Sequence, residues 1–325
     1  MSGLNIARSS CLRWMLIGCF ALLLARPGSA LAQTPYSGIV VFGTSLSDPG
    51  NAFALRGGTN TPPDYLLDPL LVPSAPYAKG GHHFSNGATW VEQFARSRGL
   101  AGSVQPAFRS ASGQATNFAV GGARAWADGR NVNLSDQVDA FLQSTGGSAS
   151  PDALYVIEMG GNDVRDALAA YPTNHAIIIQ QALASIGSNI VRLYGAGARR
   201  FLVWNAPNPA LTPALRRLAS VNPNIALLAT FLTQSFNTNL GGVVTQLSGL
   251  PGSTIDRLDA YGLLNGIVGD GDHFGLSNVV DACVTPNVAP FACTNPDEYL
   301  FWDGIHPTTA VHGIIAQVAA SVLDQ

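Results

Sequence analysis

Lysine is all but missing from this chain: Lys79 is the only one among 325 residues, and basic residues never run longer than a pair. Charged side chains make up 11% of the sequence and the formal net charge is −3. A chain this poor in cations offers no electrostatic footprint for a phosphate backbone, so nucleic acid is not expected as a partner. Cysteine is scarce too, with four in all. No internal repeat and no linker divides the chain.

What is present begins with a leader. Arg8 and Arg13 precede the apolar run Trp14 to Ala25, and Ala30-Leu31-Ala32 places small residues before Gln33. A basic start, a short apolar stretch and an A-x-A end describe a secretory signal peptide cleaved after Ala32, and the run is short for a membrane span. Leu16-Ile17-Gly18-Cys19 has the look of a lipoprotein box, but almost no apolar stretch precedes that cysteine. The expectation is therefore a removed segment 1–32 and a single domain 33–325, exported to the periplasm or beyond, without a transmembrane segment. Arg8, Arg13 and Arg26 leave with the leader, and the remainder carries 14 basic against 20 acidic side chains, a net charge near −6. Cys11 and Cys19 leave as well. Cys283 and Cys293 remain, and a close pair in an exported chain favours a local disulfide over two free thiols. A zinc half-site would need further Cys or His ligands nearby, and none appear.

Apolar runs and helix-period stretches alternate along the rest. Ile39-Val40-Val41-Phe42, Thr116 to Val120, Leu154-Tyr155-Val156-Ile157, Phe201-Leu202-Val203-Trp204 and Thr254 to Leu258 read as five strands. Between them, 90–98, 175–194, 224–247 and a final stretch from about Pro307 carry helical periodicity, the second ended by Gly195. Asp48 to Ser85, rich in Gly, Pro and Asn, reads as a long loop region. Such alternation implies a parallel sheet covered on both faces.

In open parallel sheets ligands bind beyond the carboxyl ends of the strands, and the chemically distinctive residues gather there. Gly43-Thr44-Ser45 follows the first strand, Gly121-Gly122 the second and Gly161-Asn162-Asp163 the third, while Asp303-Gly304-Ile305-His306 precedes the last helix. These are the residue types of acyl transfer. A serine hydroxyl is a poor nucleophile until a positioned base accepts its proton. Histidine titrates near working pH, and a carboxylate at its other nitrogen fixes the tautomer. The N–H groups of Ser45 and Gly122 and the amide of Asn162 could hold an oxyanion. Each piece alone is a common turn or capping signal; their order and placement carry the reading.

In these residues the chain resembles the GDSL (SGNH) esterases and lipases, particularly the larger bacterial and plant-like members. Ile39 to Asn51 (IVVFGTSLSDPGN), Asn117 to Ala123 (NFAVGGA), Gly160 to Asp163 (GGND) and Phe301 to Thr308 (FWDGIHPT) are similar to four ordered family blocks, and Tyr261 to Asn265 (YGLLN) to a further stretch. The resemblance implies a three-layer α/β/α, flavodoxin-like fold with a mostly parallel five-stranded sheet. It also implies ester hydrolysis without metal or organic cofactor on small-molecule or lipid esters. Carried over, it makes Ser45 the nucleophile, Asp303 and His306 the rest of a triad, and Ser45, Gly122 and Asn162 the oxyanion hole. Gly121 competes with Gly122 for the second of those places. Thr44 stands where the family usually has Asp, with an oxygen still able to bond locally.

Other residues have plainer expectations. His82 and His83 form an adjacent loop pair that points in different directions, His175 and His312 read as surface residues of helical segments, and His273, in Gly-Asp-His-Phe, could line the site. Trp302 serves packing or a pocket wall equally well. An acyltransferase with the same triad and an inactive secreted binder of the same fold are the rival functions.

Overall fold

Short apolar runs too small for helices pair side by side. In the computed structural model, which describes residues 36–62, 69–109 and 115–325, β1 (Ile39–Gly43), β2 (Leu154–Glu158), β3 (Arg200–Trp204) and β4 (Thr254–Leu258) form one parallel sheet in that order. Ile39 pairs with Leu154, Leu154 with Arg200 and Arg200 with Thr254, so the four carboxyl ends share one edge. The leader 1–32 and its cleavage site lie outside the described residues.

Alternate side chains of a strand face opposite ways, and here both faces are covered. Val40, Phe42, Tyr155, Ile157, Phe201 and Val203 pack beneath α3 (Leu134–Ser144), α5 (His175–Ala196) and α7 (Asn224–Leu247). Ile39, Val41, Leu154, Val156, Leu202 and Trp204 pack beneath α2 (Trp90–Ser97), α8 (Ala260–Gly269) and α9 (Thr309–Leu323). Each such large side chain contributes about 1.5–3 kcal/mol by leaving water, which makes these two cores the dominant restraint on the fold. Caps fix where the helices start: Thr89 and Glu92 form a capping box on α2, and the Thr308 hydroxyl accepts the N–H of Val311 at the head of α9. Alpha-helix α5 is, by length and composition, the one described helix apolar enough to cross a membrane. It packs instead against α3, α4 (Gly161–Ala169) and α7, burying Ile178, Ile179, Ile186 and Ile190.

The sheet departs from the five strands expected. Thr116 to Val120 does run parallel beside β1: Val41 donates to Thr116 O, Phe118 to Val41 O and Val120 to Gly43 O. It makes only an isolated bridge there, because the Gly43 N–H, the next rung of the ladder, donates to Gln137 Oε1 (2.8 Å) instead of to the segment. With this segment counted as second in the chain, the spatial order is the 2-1-3-4-5 of flavodoxin-like sheets. The Asp48–Ser85 loop region also contains a helical turn, α1 (Asn51–Leu55). Asp48 creates it by accepting the N–H groups of Gly50, Asn51 and Ala52 at 2.6–3.0 Å, orphan donors that a helix start must otherwise leave unmet. Helix α6 (Pro213–Val221), capped by Thr212, and the short second sheet of β5 (Asn278–Ala282) and β6 (Tyr299–Phe301) complete the domain. Cys283 and Cys293 are joined in a disulfide within the segment that connects β5 to β6.

His312 corrects an expectation. It is buried, and its Nδ1 accepts the N–H of Trp90 at 3.2 Å. Burial, with His83 and His306 adding and Glu92 opposing, pushes its imidazole down to about 3. It is a neutral core group joining α9 to α2.

Candidate active site

Beyond the carboxyl edge of the sheet, the turns after β1 and β2 meet the loop before α9. His306 lies between two partners. Its Nε2 is 2.9 Å from Ser45 Oγ and its Nδ1 is 2.7 Å from Asp303 Oδ2. Asp303 and His306 are buried. The Asp303 carboxylate is held on both oxygens: Oδ1 accepts the N–H groups of Ile305 (2.9 Å) and His306 (2.8 Å), and Oδ2 accepts the hydroxyl of Tyr77 at 3.0 Å. Gly304 makes this loop possible, since a Cβ there would stand 1.9 Å from Leu70 O. Trp302 packs with Tyr77 and the disulfide behind the loop and does not line the cavity, so its role is packing.

The oxyanion candidates differ in how their donors are committed. Gly121 gives its N–H to Asp48 Oδ2 at 2.8 Å. Among the described residues the N–H groups of Ser45 and Gly122 have no acceptor, which favours Gly122 of the two glycines. Gly122 has a φ of +89°, a conformation that glycine adopts without strain, and the side chains of Arg56 and Arg124 hold the carbonyls of Gly121 and Gly122. Asn162 lies in the first turn of α4. Its Nδ2 gives one hydrogen to Ala123 O (2.8 Å), leaving the second available, while Arg165 holds its Oδ1 at 3.1 Å. Neighbouring Asp163 is buried and ties the second block to the third by accepting the N–H groups of Ala125 and Trp126; burial lifts its carboxyl to about 6.

Thr44 takes up a partner that the sequence did not announce. Its N–H donates to Glu158 Oε2 at 2.8 Å, and its hydroxyl donates to the same carboxylate at 2.9 and 3.0 Å. Glu158 ends β2, is buried, and has its carboxyl pushed up to about 7 by burial, against the hydrogen bonds of Thr44 and Ser47 and with Asp163 adding to the rise. A folded-state value raised above the ordinary 4.5 means that folding favours the protonated form. The stability tied to Glu158 is complete below about pH 4.5 and is lost as pH rises through about 7. Glu158→Gln is therefore expected to flatten the decline of Tm between about pH 5 and 8. Parallel Tm–pH curves for variant and parent would contradict this.

Ser45, Asn162 and His306 line a cavity of about 120 Å³. Its walls are mainly apolar, with Trp204 and Pro207 from the end of β3, Leu263, Leu264 and Ile267 from α8, and Ile305, while Glu158, Arg165 and Asn208 add polar groups. Gly122 and Asp303 stand outside this lining. The remaining histidines do not enter it. His82 stacks on Phe53 and His83 bonds to Gly80 O, so the pair points apart, and His273 is exposed. His175 is half-buried near the protein surface and bonds to Pro172 O. Among the described residues no group of three or more His, Cys, Asp or Glu could hold a metal ion. Tyr77 gave no sequence signal at all, lying in the Gly- and Pro-rich stretch. Glu158 did leave one, as a lone acid closing an apolar strand.

A family model described as GDSL-like Lipase/Acylhydrolase matches residues 39–319. A GDSL esterase/lipase of Arabidopsis thaliana is 26% identical, over 86% of this chain and 89% of that one. A phosphatidylcholine-sterol acyltransferase of Aeromonas hydrophila is also 26% identical, over 95% and 96%. Among solved structures, the YXIM protein of Bacillus subtilis matches at 13% identity and a TM-score of 0.42, over 89% of this chain and 57% of that one.

Proposed function

The chain belongs to the GDSL-like lipase/acylhydrolase family, and from that premise we propose that it is an exported serine hydrolase that cleaves carboxylic esters through Ser45, His306 and Asp303. The observation that carries this reading is the position of His306, hydrogen-bonded to the Ser45 hydroxyl on one side and to the Asp303 carboxylate on the other. As Ser45 Oγ attacks the ester carbonyl, His306 Nε2 takes its proton, and Asp303 steadies the imidazolium from Nδ1. The negative oxygen is received by the N–H groups of Ser45 and Gly122 and by Asn162 Nδ2, donors in place before reaction. His306 returns the proton to the departing alkoxide. Water, activated by the same nitrogen, then releases the acid and restores the serine. The relay calls on no metal or organic cofactor. The leader 1–32 and the Cys283–Cys293 disulfide both suit an oxidising compartment.

The apolar cavity names the acyl side. A void of about 120 Å³ has room for about four to six acyl carbons, judged against a benzene-sized void of about 150 Å³. With p-nitrophenyl esters, kcat/KM is expected to rise from acetate to about hexanoate, by up to about fourfold for each methylene buried. A series that peaks at acetate would refute the acyl pocket. The name of the Aeromonas relative favours a second reading of the same acyl-enzyme, transfer to an alcohol. Product analysis with an added alcohol acceptor separates it, since hydrolysis yields free acid and transfer yields a new ester.

A further inference from the structure

The acidic residues of this chain are unevenly placed. No Asp or Glu occurs in the 89 residues between Asp166 and Asp256, a stretch that holds five arginines, although the chain contains 20 acids. That stretch builds α5, α6 and α7. It also carries seven of the ten large hydrophobic side chains exposed among the described residues. Four of them gather where α6 turns into α7. Leu218 and Val221 are one helical turn apart at the end of α6, and Leu227 and Phe231 one turn apart at the start of α7. Val221 is 89% exposed, Leu227 72% and Phe231 62%. A water-facing surface normally scatters charge among such residues; α7 has no charged residue in its 24 positions.

This corner adjoins the cavity. Thr230, beside Phe231, bonds through its hydroxyl to Asn208 Oδ1, and Asn208, Pro209 and the α6 cap Thr212 are cavity wall. Arg216 and Arg217 follow on α6, with Arg217 exposed. Asp281 of β5 shares a surface pocket with Arg216 and Arg217, one carboxylate beside two guanidinium groups, so a second copy docked through the same face would leave positive charge unmatched on each side. An anionic lipid surface meets both requirements, apolar chains for the hydrophobic residues and phosphates for the arginines.

We propose that the α6–α7 corner docks this protein on an anionic lipid surface and turns the mouth of the ester cavity toward the lipid. The docking stands on the surface alone; only its use in catalysis rests on the ester-hydrolase reading. Binding is therefore measured on the full chain carrying Ser45→Ala, by sedimentation with phosphatidylglycerol–phosphatidylcholine vesicles and with phosphatidylcholine vesicles. The expected result is stronger partition into the anionic vesicles. Adding Val221→Ser, Leu227→Ser and Phe231→Ser is expected to lower that partition by at least about tenfold. This comparison assigns binding to the corner rather than to any other apolar segment. With Ser45 restored, the same triple substitution is expected to leave turnover of the water-soluble p-nitrophenyl butyrate unchanged, showing that the fold is intact. Vesicle binding that survives the triple substitution, or its absence from the parent, would overturn the proposal. So would a dimer dissolved by these substitutions without vesicle binding, which would make a second copy the occupant.

Discussion

Ser45→Ala lowers the turnover of a short p-nitrophenyl ester by about 10⁴- to 10⁶-fold, the range seen when an acyl-enzyme nucleophile is removed. The loss falls on kcat, because the cavity walls that bind the acyl chain do not include the Ser45 hydroxyl as their main surface. Trp204, Leu263, Leu264 and Ile267 remain in place to hold substrate. The variant is also expected to fold normally. Among the described residues, the only hydrogen-bond partner of Ser45 Oγ is His306 Nε2, whereas the turn itself is held by Thr44 on Glu158 and by Asp48. Steady-state kinetics beside a thermal melt checks both parts, and turnover within a few-fold of the parent would remove Ser45 from the chemistry.

Asp303→Asn comes second, with an expected loss of about 10³- to 10⁴-fold in kcat at neutral pH. The surroundings dictate how the new amide sits. Two backbone N–H groups, from Ile305 and His306, point at Oδ1, so the amide oxygen must take that side. Its NH2 group then faces His306 Nδ1, where it donates. A histidine that accepts at Nδ1 carries its proton on Nε2, the nitrogen that must accept from Ser45. The imidazole stays in position in the wrong tautomer. The difference from Ser45→Ala lies in the competing bond: Tyr77 also donates to Oδ2, and its hydroxyl must turn to accept from the amide. A kcat near that of the parent would show that Asp303 does not set the tautomer.

Much of this was legible in the sequence because the pieces that make chemistry are also local structure. Ser45, Gly122, Asn162 and the Asp303–His306 pair sit where strands stop and helices start, and glycines mark those places in one dimension. The two longest helices were legible from apolar spacing, although the first runs through Gly195, the stop expected from the sequence, to Ala196 and is ended by Gly197. The fifth strand was not. Thr116 to Val120 has the composition of a strand, but the side chain of Gln137, arriving from α3, takes the Gly43 N–H that would have continued its ladder with β1, an event of geometry rather than pattern. His312 was misplaced for a related reason: a helical histidine reads as surface unless the partner that buries it is known, and Trp90 is more than two hundred residues away. Glu158 is the most instructive omission. Thr44 appeared as a missing Asp, while the carboxylate of that corner arrives from β2 across the sheet. Only the fold could bring the two together.

Covalent trapping tests most directly whether His306 activates Ser45. Treated with a fluorophosphonate, the intact protein should acquire one adduct, located by peptide mass spectrometry at Ser45, and His306→Ala should slow its formation by at least about a hundredfold. An adduct on another residue, or labelling of Ser45 at the same rate without the imidazole, would contradict the mechanism.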